Sequence, residues 1–482
     1  MKMSSRLIAA AAVLLGGVAC AAPQPNVVMI IVDDLGRQDV GAYGSKFHET
    51  PVMDQLAADG VLFSNAYAAH PRCVPSRIAV MSGRFPARYG VPGFNDRSEG
   101  PHQLPLSTVT FAERLQDAGY RTGYVGKWHL GKEGGGPDAQ GFDVSLLAGE
   151  SGAPGSYFLP YEKRKPNVPT KIFPPYEGGE EGEYLTDRLT DEAIRFVEDS
   201  GDEPFLLVLA HYAVHTPIQA KQDTTQKYRK KARAMGLKSK WDEDLVVDRT
   251  GMVKTEQNHP VYAAMVDSVD ENLGRLLEVL DRAGFSDNTV VILTSDHGGL
   301  SSRSLENKRE LATSNLPYRH GKGWLYEGGT RVPLIVRWPG NARAGHVSDV
   351  QVTGTDHFRT ILDLVGVEEG DANPEDSVSY ASALGGDKYQ RPPMFWHSSL
   401  GRPTQTGDTR SSSVVDGDWK LIQWYSLESD DIGETQLFNL ADDPGEREDL
   451  AAQHPAERGR LENLLNDWKK AVNARLGEFK RD

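Results

Sequence analysis

Residues 26–32 form a continuous apolar run rich in β-branched side chains. A run of that length without polar alternation reads as a strand buried on both faces. Further runs of strand character recur at 121–125, 205–210 and 289–294. Helical spacing separates them. Residues 108–119 open on Thr108 as N-cap and stop at Gly119. Tyr262, Val266, Val269, Leu273, Leu276, Leu277 and Leu280 mark one face of a longer helix, with Gly284 as its stop. Strands alternating with helices predict an α/β fold: a large mixed, mostly parallel sheet sandwiched by helices.

The pattern changes after about Gly345. Residues 412–422 read as strand, turn and strand around Asp416-Gly417, and 435–439 as another short strand. Residues 456–476 read as a polar helix with a sparse apolar stripe. The expected division is a main domain over 22–345 and a smaller C-terminal α+β subdomain, with a small antiparallel sheet and a helix, over 346–482. Residues 220–258, Lys-rich and then acidic, read as a surface excursion that could serve as a lid.

Each strand candidate ends in charged or imidazole residues. They are Asp33 and Asp34; Lys127 and His129; His211 and then His215; Asp296 and His297. Ligands of open α/β sheets bind outside the carboxyl ends of the strands. One polar strand end means little, because aspartates cap helices and line turns. Four in one chain predict a single site at one edge of the sheet.

The first residues change the picture of compartment. Lys2 and Arg6 precede an apolar run over 7–19, then Ala19-Cys20-Ala21. This is the pattern of a secretory signal peptide over 1–21, cleaved after Ala21. The run falls short of the ~20 residues a spanning helix needs, and no transmembrane segment is expected elsewhere. Lipidation of Cys20 is the alternative, but Gly17 stands where such sites carry a bulky aliphatic residue. The chain is expected to be exported, periplasmic or secreted. The formal charge is −15. Removing Lys2 and Arg6 makes it −17, a balance that argues against nucleic-acid binding.

Cys73 would then be the one cysteine of the mature chain. A lone cysteine is most often buried and inert. The polar neighbours His70, Arg72, Ser76 and Arg77 argue against an apolar pocket. Pro75 suits the first turn of a helix continued by Ile78-Ala79-Val80-Met81. Residue 73 then sits at a helix start, where free N–H groups favour an anion, and Arg77 lies one turn on.

Together these residues resemble the formylglycine-dependent (type I) sulfatases of the alkaline phosphatase superfamily. Cys73-Val74-Pro75-Ser76-Arg77, with Gly83 and Arg84, fits that family's Cys-x-Pro-x-Arg signature. Tyr120-Arg121-Thr122-Gly123-Tyr124-Val125-Gly126-Lys127-Trp128-His129-Leu130-Gly131 is similar to its second signature. Asp33-Asp34, His215-Thr216-Pro217, Asp296-His297-Gly298 and the stretch from Lys322 to Pro333 match in order. The resemblance spans roughly Pro25 to Leu450. It resembles bacterial carbohydrate sulfatases.

The resemblance implies an alkaline-phosphatase-like fold and hydrolysis of sulfate monoesters (a sulfuric ester hydrolase of arylsulfatase type). It implies that Cys73 is oxidised by a formylglycine-generating maturation enzyme to 3-oxoalanine, an aldehyde that hydrates to a diol. One hydroxyl would attack sulfur; deprotonating the other would expel sulfate. It implies one Ca²⁺ held by Asp33, Asp34, residue 73, Asp296 and His297, although imidazole is a softer ligand than Ca²⁺ usually takes. Arg77, Lys127 and Lys322 would hold the diol and the sulfate. His129 would act as base and His215 as acid. His211, His320 and His397 are candidates to line a sugar subsite, with structural roles the competing reading.

The expected substrate is a sulfated polysaccharide or its oligosaccharides. Two readings compete. One is a phosphate or phosphonate monoester hydrolase of the same superfamily, which normally needs two metals and more histidine ligands. The other is a glycan-binding relative without activity, against which the retained site residues argue.

Overall fold

The structure is a computed structural model describing residues 24–90, 103–131, 134–165, 168–238 and 243–477. Residues 1–21, read from the sequence as a signal peptide, and Cys20 among them, lie outside the described residues. No helix among those described is long and apolar enough to cross a membrane.

The main sheet has eight strands. In chain order they are β1 (Asn26–Val32), β2 (Val61–Tyr67), β3 (Arg121–Gly126), β4 (Val144–Leu146), β5 (Phe205–His211), β6 (Thr289–Ser295), β7 (Leu334–Arg337) and β8 (His346–Thr353). Their order across the sheet is β8-β2-β7-β6-β1-β5-β3-β4. Only β7 runs antiparallel to its neighbours, β6 and β2. Strands β1, β5 and β6 are buried along their whole length, as their unbroken apolar runs predict.

Side chains alternate between two faces of β1, and each face feeds its own core. Val28, Ile30 and Val32 pack with the helices Leu185–Glu198 and Pro260–Arg282. Val27, Met29 and Ile31 pack with the helices Cys73–Ser82, Phe111–Asp117 and His357–Val365. The result is the helix–sheet–helix sandwich expected from the alternation of strands and helices.

Three details differ from the sequence reading. The helix expected from Thr108 starts at Phe111, because Thr110 caps it. The Thr110 hydroxyl accepts from Glu113 N at 3.2 Å, and Glu113 Oε2 accepts from Thr110 N at 2.7 Å. Strand β8, beyond the expected division at 345, still joins the main sheet beside β2. The separate four-stranded antiparallel sheet begins only at Met394, with strands Met394–Ser398, Ser411–Asp416, Trp419–Tyr425 and Ile432–Asn439. The helix Pro455–Ala471 covers it. Finally, the 220–258 excursion is anchored. Its helix Gln222–Ala234 buries Tyr228 and Ala232 against the Pro260–Arg282 helix, and its strand Gly251–Lys254 pairs with Ser302–Ser304.

Candidate active site

The carboxyl ends of β1, β3, β5 and β6 meet at one edge of the sheet, where the helix after β2 begins. Asp33 N donates to Ala213 O at 2.9 Å, and Val214 N donates to Asp33 O at 2.6 Å. These bonds fasten the end of β1 to the turn after β5 and bring His215 Nε2 to 3.9 Å from Asp34 Oδ2. At the end of β3, Gly126 has φ 100°. A Cβ there would lie 2.1 Å from Ala210 O, so glycine permits this close approach. Lys127 N then donates to the same carbonyl at 2.7 Å. Two non-glycine residues at this edge, Asp34 (φ 63°) and His129 (φ 62°), occupy the left-handed region. Such backbone strain concentrates at functional sites.

The helix Cys73–Ser82 begins at Cys73, with Arg72 extended before it and Pro75 in its first turn. Arg77, one turn on, is fully buried. Its Nε donates to Asp296 Oδ2 at 3.1 Å and its Nη1 to Lys127 O at 2.7 Å. Lys127 Nζ donates to Asp33 Oδ2 at 2.5 Å, and Lys322 Nζ donates to Asp34 Oδ1 at 2.6 Å. Cys73 Sγ lies 3.2 Å from His297 Nε2. Cys73, His129, His215 and Lys322 open onto one cavity of about 410 Å³. Arg77, Lys127, Asp33 and Asp296 form the layer beneath.

The three histidines left between a sugar subsite and a structural role do not line this cavity. His211 points from the end of β5 toward the Asp187 side of the sheet, and burial lowers its pKa to about 4. His320 stacks on Trp324 with ring centroids 3.8 Å apart, and its Nε2 lies 3.2 Å from Asp248 Oδ2. His397 bonds Ser412 Oγ at 2.8 Å and the Arg475 carbonyl at 2.9 Å, inside the C-terminal sheet. The lining contains instead Arg72, Arg309 and Arg402, which the sequence reading missed as site residues. Arg72 precedes the signature cysteine and was the one within reach; Arg309 and Arg402 lie in loops with no motif around them.

Electrostatics favour negative charge at residue 73. Burial alone would push the Cys73 thiol up, but Lys127, Lys322 and His297 hold it well below the usual thiol range. Burial lowers His129 to about 4 and His215 to about 3, with Lys127 and Lys322 respectively acting in the same direction. Both imidazoles are therefore neutral near pH 7. His215 Nδ1 sits 2.7 Å from the Thr216 carbonyl. A carbonyl only accepts, so the proton is on Nδ1 and Nε2 is the acceptor facing the cavity. His297 is fixed the same way: Nδ1 donates to the Gly298 carbonyl at 3.0 Å, which leaves Nε2 as a donor atom for a metal.

The residues fit a cation. Asp33, Asp34, Cys73 and His297 each bring one ligand atom to within 4.8 Å of the others. Asp33 Oδ1 and Asp34 Oδ2 are buried and accept no hydrogen bond. Burial first, and then the charge of Asp296, pushes Asp33 well above the carboxylate range despite Lys127, a repulsion that a dication would relieve. Asp296 stands beside this group. Its Oδ1 accepts from Asp34 N at 3.2 Å and its Oδ2 from Arg77, so protein donors already hold both oxygens.

An α/β sheet with buried cations, carboxylates and a polarised residue 73 at its carboxyl edge defines a hydrolase for an anionic ester. The sulfatase family model matches residues 25–367, and the model described as "N-sulphoglucosamine sulphohydrolase, C-terminal" matches 319–471. The chain is 29% identical to human N-acetylgalactosamine-6-sulfatase, over 94% of this chain and 87% of that one. It is 28% identical to the N-acetylgalactosamine-6-O-sulfatase of Bacteroides thetaiotaomicron, over 92% and 93%. Among solved structures, Ps i-CgsB in complex with k-i-k-neocarrahexaose superposes with a TM-score of 0.74 at 28% identity, covering 92% of each chain. The chain belongs to the sulfatase family, and its activity is the hydrolysis of sulfate esters.

Proposed function

We propose that the protein removes sulfate from a sulfated polysaccharide or its oligosaccharides, through formylglycine made from Cys73 and with one bound Ca²⁺. The observation that carries this reading is the setting of residue 73. It starts a helix, faces a cavity, and lies in the field of Lys127, Lys322 and His297. An inert cysteine needs none of these. The named relatives are N-acetylgalactosamine-6-sulfatases, and the superposed structure holds k-i-k-neocarrahexaose, which supports a saccharide substrate.

The aldehyde at residue 73, once hydrated, supplies a nucleophilic hydroxyl and a second hydroxyl. His129, neutral near pH 7, takes the proton of the second one. Lys127 and Arg77 fix the carboxylates below and favour negative charge at residue 73. Lys322 at the cavity floor binds a sulfate oxygen. His215 protonates the departing alcohol oxygen at Nε2. Its low pKa means that it must gain a proton as the substrate's negative charge arrives beside it. Ca²⁺, held by Asp33, Asp34, residue 73 and His297, would supply positive charge for a sulfate oxygen. The basic, apolar and small-residue pattern of the first 21 residues supports export.

The test is sulfate release from a panel of sulfated saccharides, beside a phosphate monoester, by the matured protein and by Cys73→Ala. The expected result is sulfate release that Cys73→Ala abolishes while its melting temperature holds. Turnover of the phosphate ester alone, or persistent activity in Cys73→Ala, would overturn the reading.

A further inference from the structure

Glu446 grips the segment that carries Lys322 on both sides of that lysine, although it belongs to the loop after the strand Ile432–Asn439 of the C-terminal sheet. Its carbonyl accepts from Arg319 Nη1 at 3.1 Å, just before Lys322 in the chain. Its Oε2 accepts from Glu327 N at 2.6 Å, beyond Lys322, where the short helix Glu327–Thr330 starts. Glu446 is buried and has φ 53°, in the left-handed region that a residue other than glycine seldom occupies.

The short helix and the Lys322 turn meet backbone to backbone. A Cβ at Gly329 would lie 2.0 Å from Trp324 O and 2.5 Å from Gly321 O, and one at Gly328 would lie 2.2 Å from His320 O. Lys322 N donates to Gly299 O at 3.0 Å, and Gly323 N to Pro71 O at 2.9 Å. A shift of the helix start therefore reaches the turn with no flexible side chain between them. The joint is also charged. Lys420, buried on the strand Trp419–Tyr425, donates from Nζ to Glu327 Oε1 at 2.8 Å and lies 2.8 Å from Glu446 Oε1. Glu327 Oε2 accepts from Arg331 Nη1 at 3.2 Å and from the Tyr67 hydroxyl at 3.1 Å. Arg319 and Tyr326 also feel the charge of Glu446. Burial pushes Glu446 up to about 7, with Lys420 opposing the rise and Glu327 adding to it.

Resting on the reading of Lys322 as a sulfate-binding cation, we propose that Glu446 is a positioning residue: the C-terminal sheet, through Glu446 and Lys420, sets where Lys322 Nζ stands in the cavity. An ionised Glu446 makes a charge-assisted bond to Glu327 N and shares Lys420 with Glu327, which holds the helix start against the turn. A protonated Glu446 gives up its share of Lys420, and the turn loosens. The C-terminal subdomain thus contributes to the chemistry without a side chain in contact with substrate.

A double-mutant cycle on the matured full chain tests this, read as kcat/KM on 4-nitrophenyl sulfate. Glu446→Gln keeps an oxygen for Glu327 N and the carbonyl for Arg319, and mimics the protonated acid. It should lower kcat/KM about tenfold at pH 8 but only about twofold at pH 6, where the wild-type carboxyl is itself mostly protonated. In Lys322→Ala the same substitution should change kcat/KM by less than about twofold at pH 8, because the residue it acts through is gone. The wild-type profile by itself, which needs no variant to fold, should rise about fivefold from pH 6 to pH 8. A tenfold loss that persists in Lys322→Ala, or a wild-type profile flat over that range, overturns the positioning role and leaves the sulfatase reading intact. Full activity in Lys322→Ala counts against Lys322 as the sulfate-binding cation and overturns the proposal with it.

Discussion

Lys322 Nζ donates to Asp34 Oδ1 at 2.6 Å, so the lysine at the cavity floor also neutralises a carboxylate of the cation-binding group. Burial pushes the Asp34 carboxyl up, and Lys322 leads the charges that bring it below its ordinary value. Lys322→Ala should therefore cost twice. Leaving a buried charge unpaired should lower stability by about 3 kcal/mol. Losing a cation from the transition state should reduce kcat/KM by more than about 100-fold. Denaturant unfolding and steady-state kinetics on an aryl sulfate read the two effects separately.

If His215 is the proton donor, its importance depends on the alcohol that leaves. An aryl oxide departs without help, and a sugar alkoxide does not. His215→Ala should lower kcat/KM on a sugar sulfate by about 10² to 10⁴, and on 4-nitrophenyl sulfate by much less. Equal losses on both would mean that His215 binds substrate without donating a proton.

A methyl group at Gly152 would lie 2.1 Å from His129 Cε1. Gly152→Ala must displace either the loop or the imidazole. The expected outcome is a fall in kcat of about tenfold, since a base must stay within hydrogen-bond reach of its proton. Thermal melting should be unchanged, because Gly152 is only partly buried at the cavity wall.

Asp39 gives the fold a pH signature away from the site. Burial pushes it up to about 6, although Thr313, Tyr262, Gly36 and Gln257 all donate to it. The folded chain therefore holds a proton that the unfolded chain releases from about pH 4 upward. Stability should fall as pH rises from about 4 to about 6, by on the order of 3 kcal/mol from this group. Asp39→Asn should flatten that part of the profile, measured as urea midpoints at pH 4.5 and 6.5.

Calcium should bind the folded chain and not the unfolded one. Adding EGTA should lower the melting temperature, and Ca²⁺ at 100 times its Kd should restore about 2.7 kcal/mol. Asp33→Asn should abolish that response. A melting curve indifferent to EGTA in the wild-type protein would contradict the assignment of the buried carboxylates.

The parts of the site that were legible in the sequence sit where a strand stops. Asp33, Lys127 and Asp296 follow buried apolar runs directly, so the strand pattern alone places them at one edge. Cys73 and Arg77 share one helix turn, which local spacing reveals. Arg309 and Arg402 come from loops, where a lone arginine reads as solvated and only the tertiary fold brings it to a cavity. For His211, His320 and His397 the sequence left a sugar subsite and a structural role both open. A sequence gives no sign that His320 will stack on Trp324 or that His211 will face the helix side of its strand. The late start of the C-terminal sheet was hidden too, because β8 pairs with a strand nearly three hundred residues earlier.

Mass spectrometry of the peptide carrying residue 73, from protein made alongside a formylglycine-generating enzyme, bears most directly on the central claim. The account predicts that the sulfur is gone and an aldehyde stands in its place, in a proportion that tracks specific activity across preparations. Full sulfatase activity in protein that retains the Cys73 thiol would contradict it.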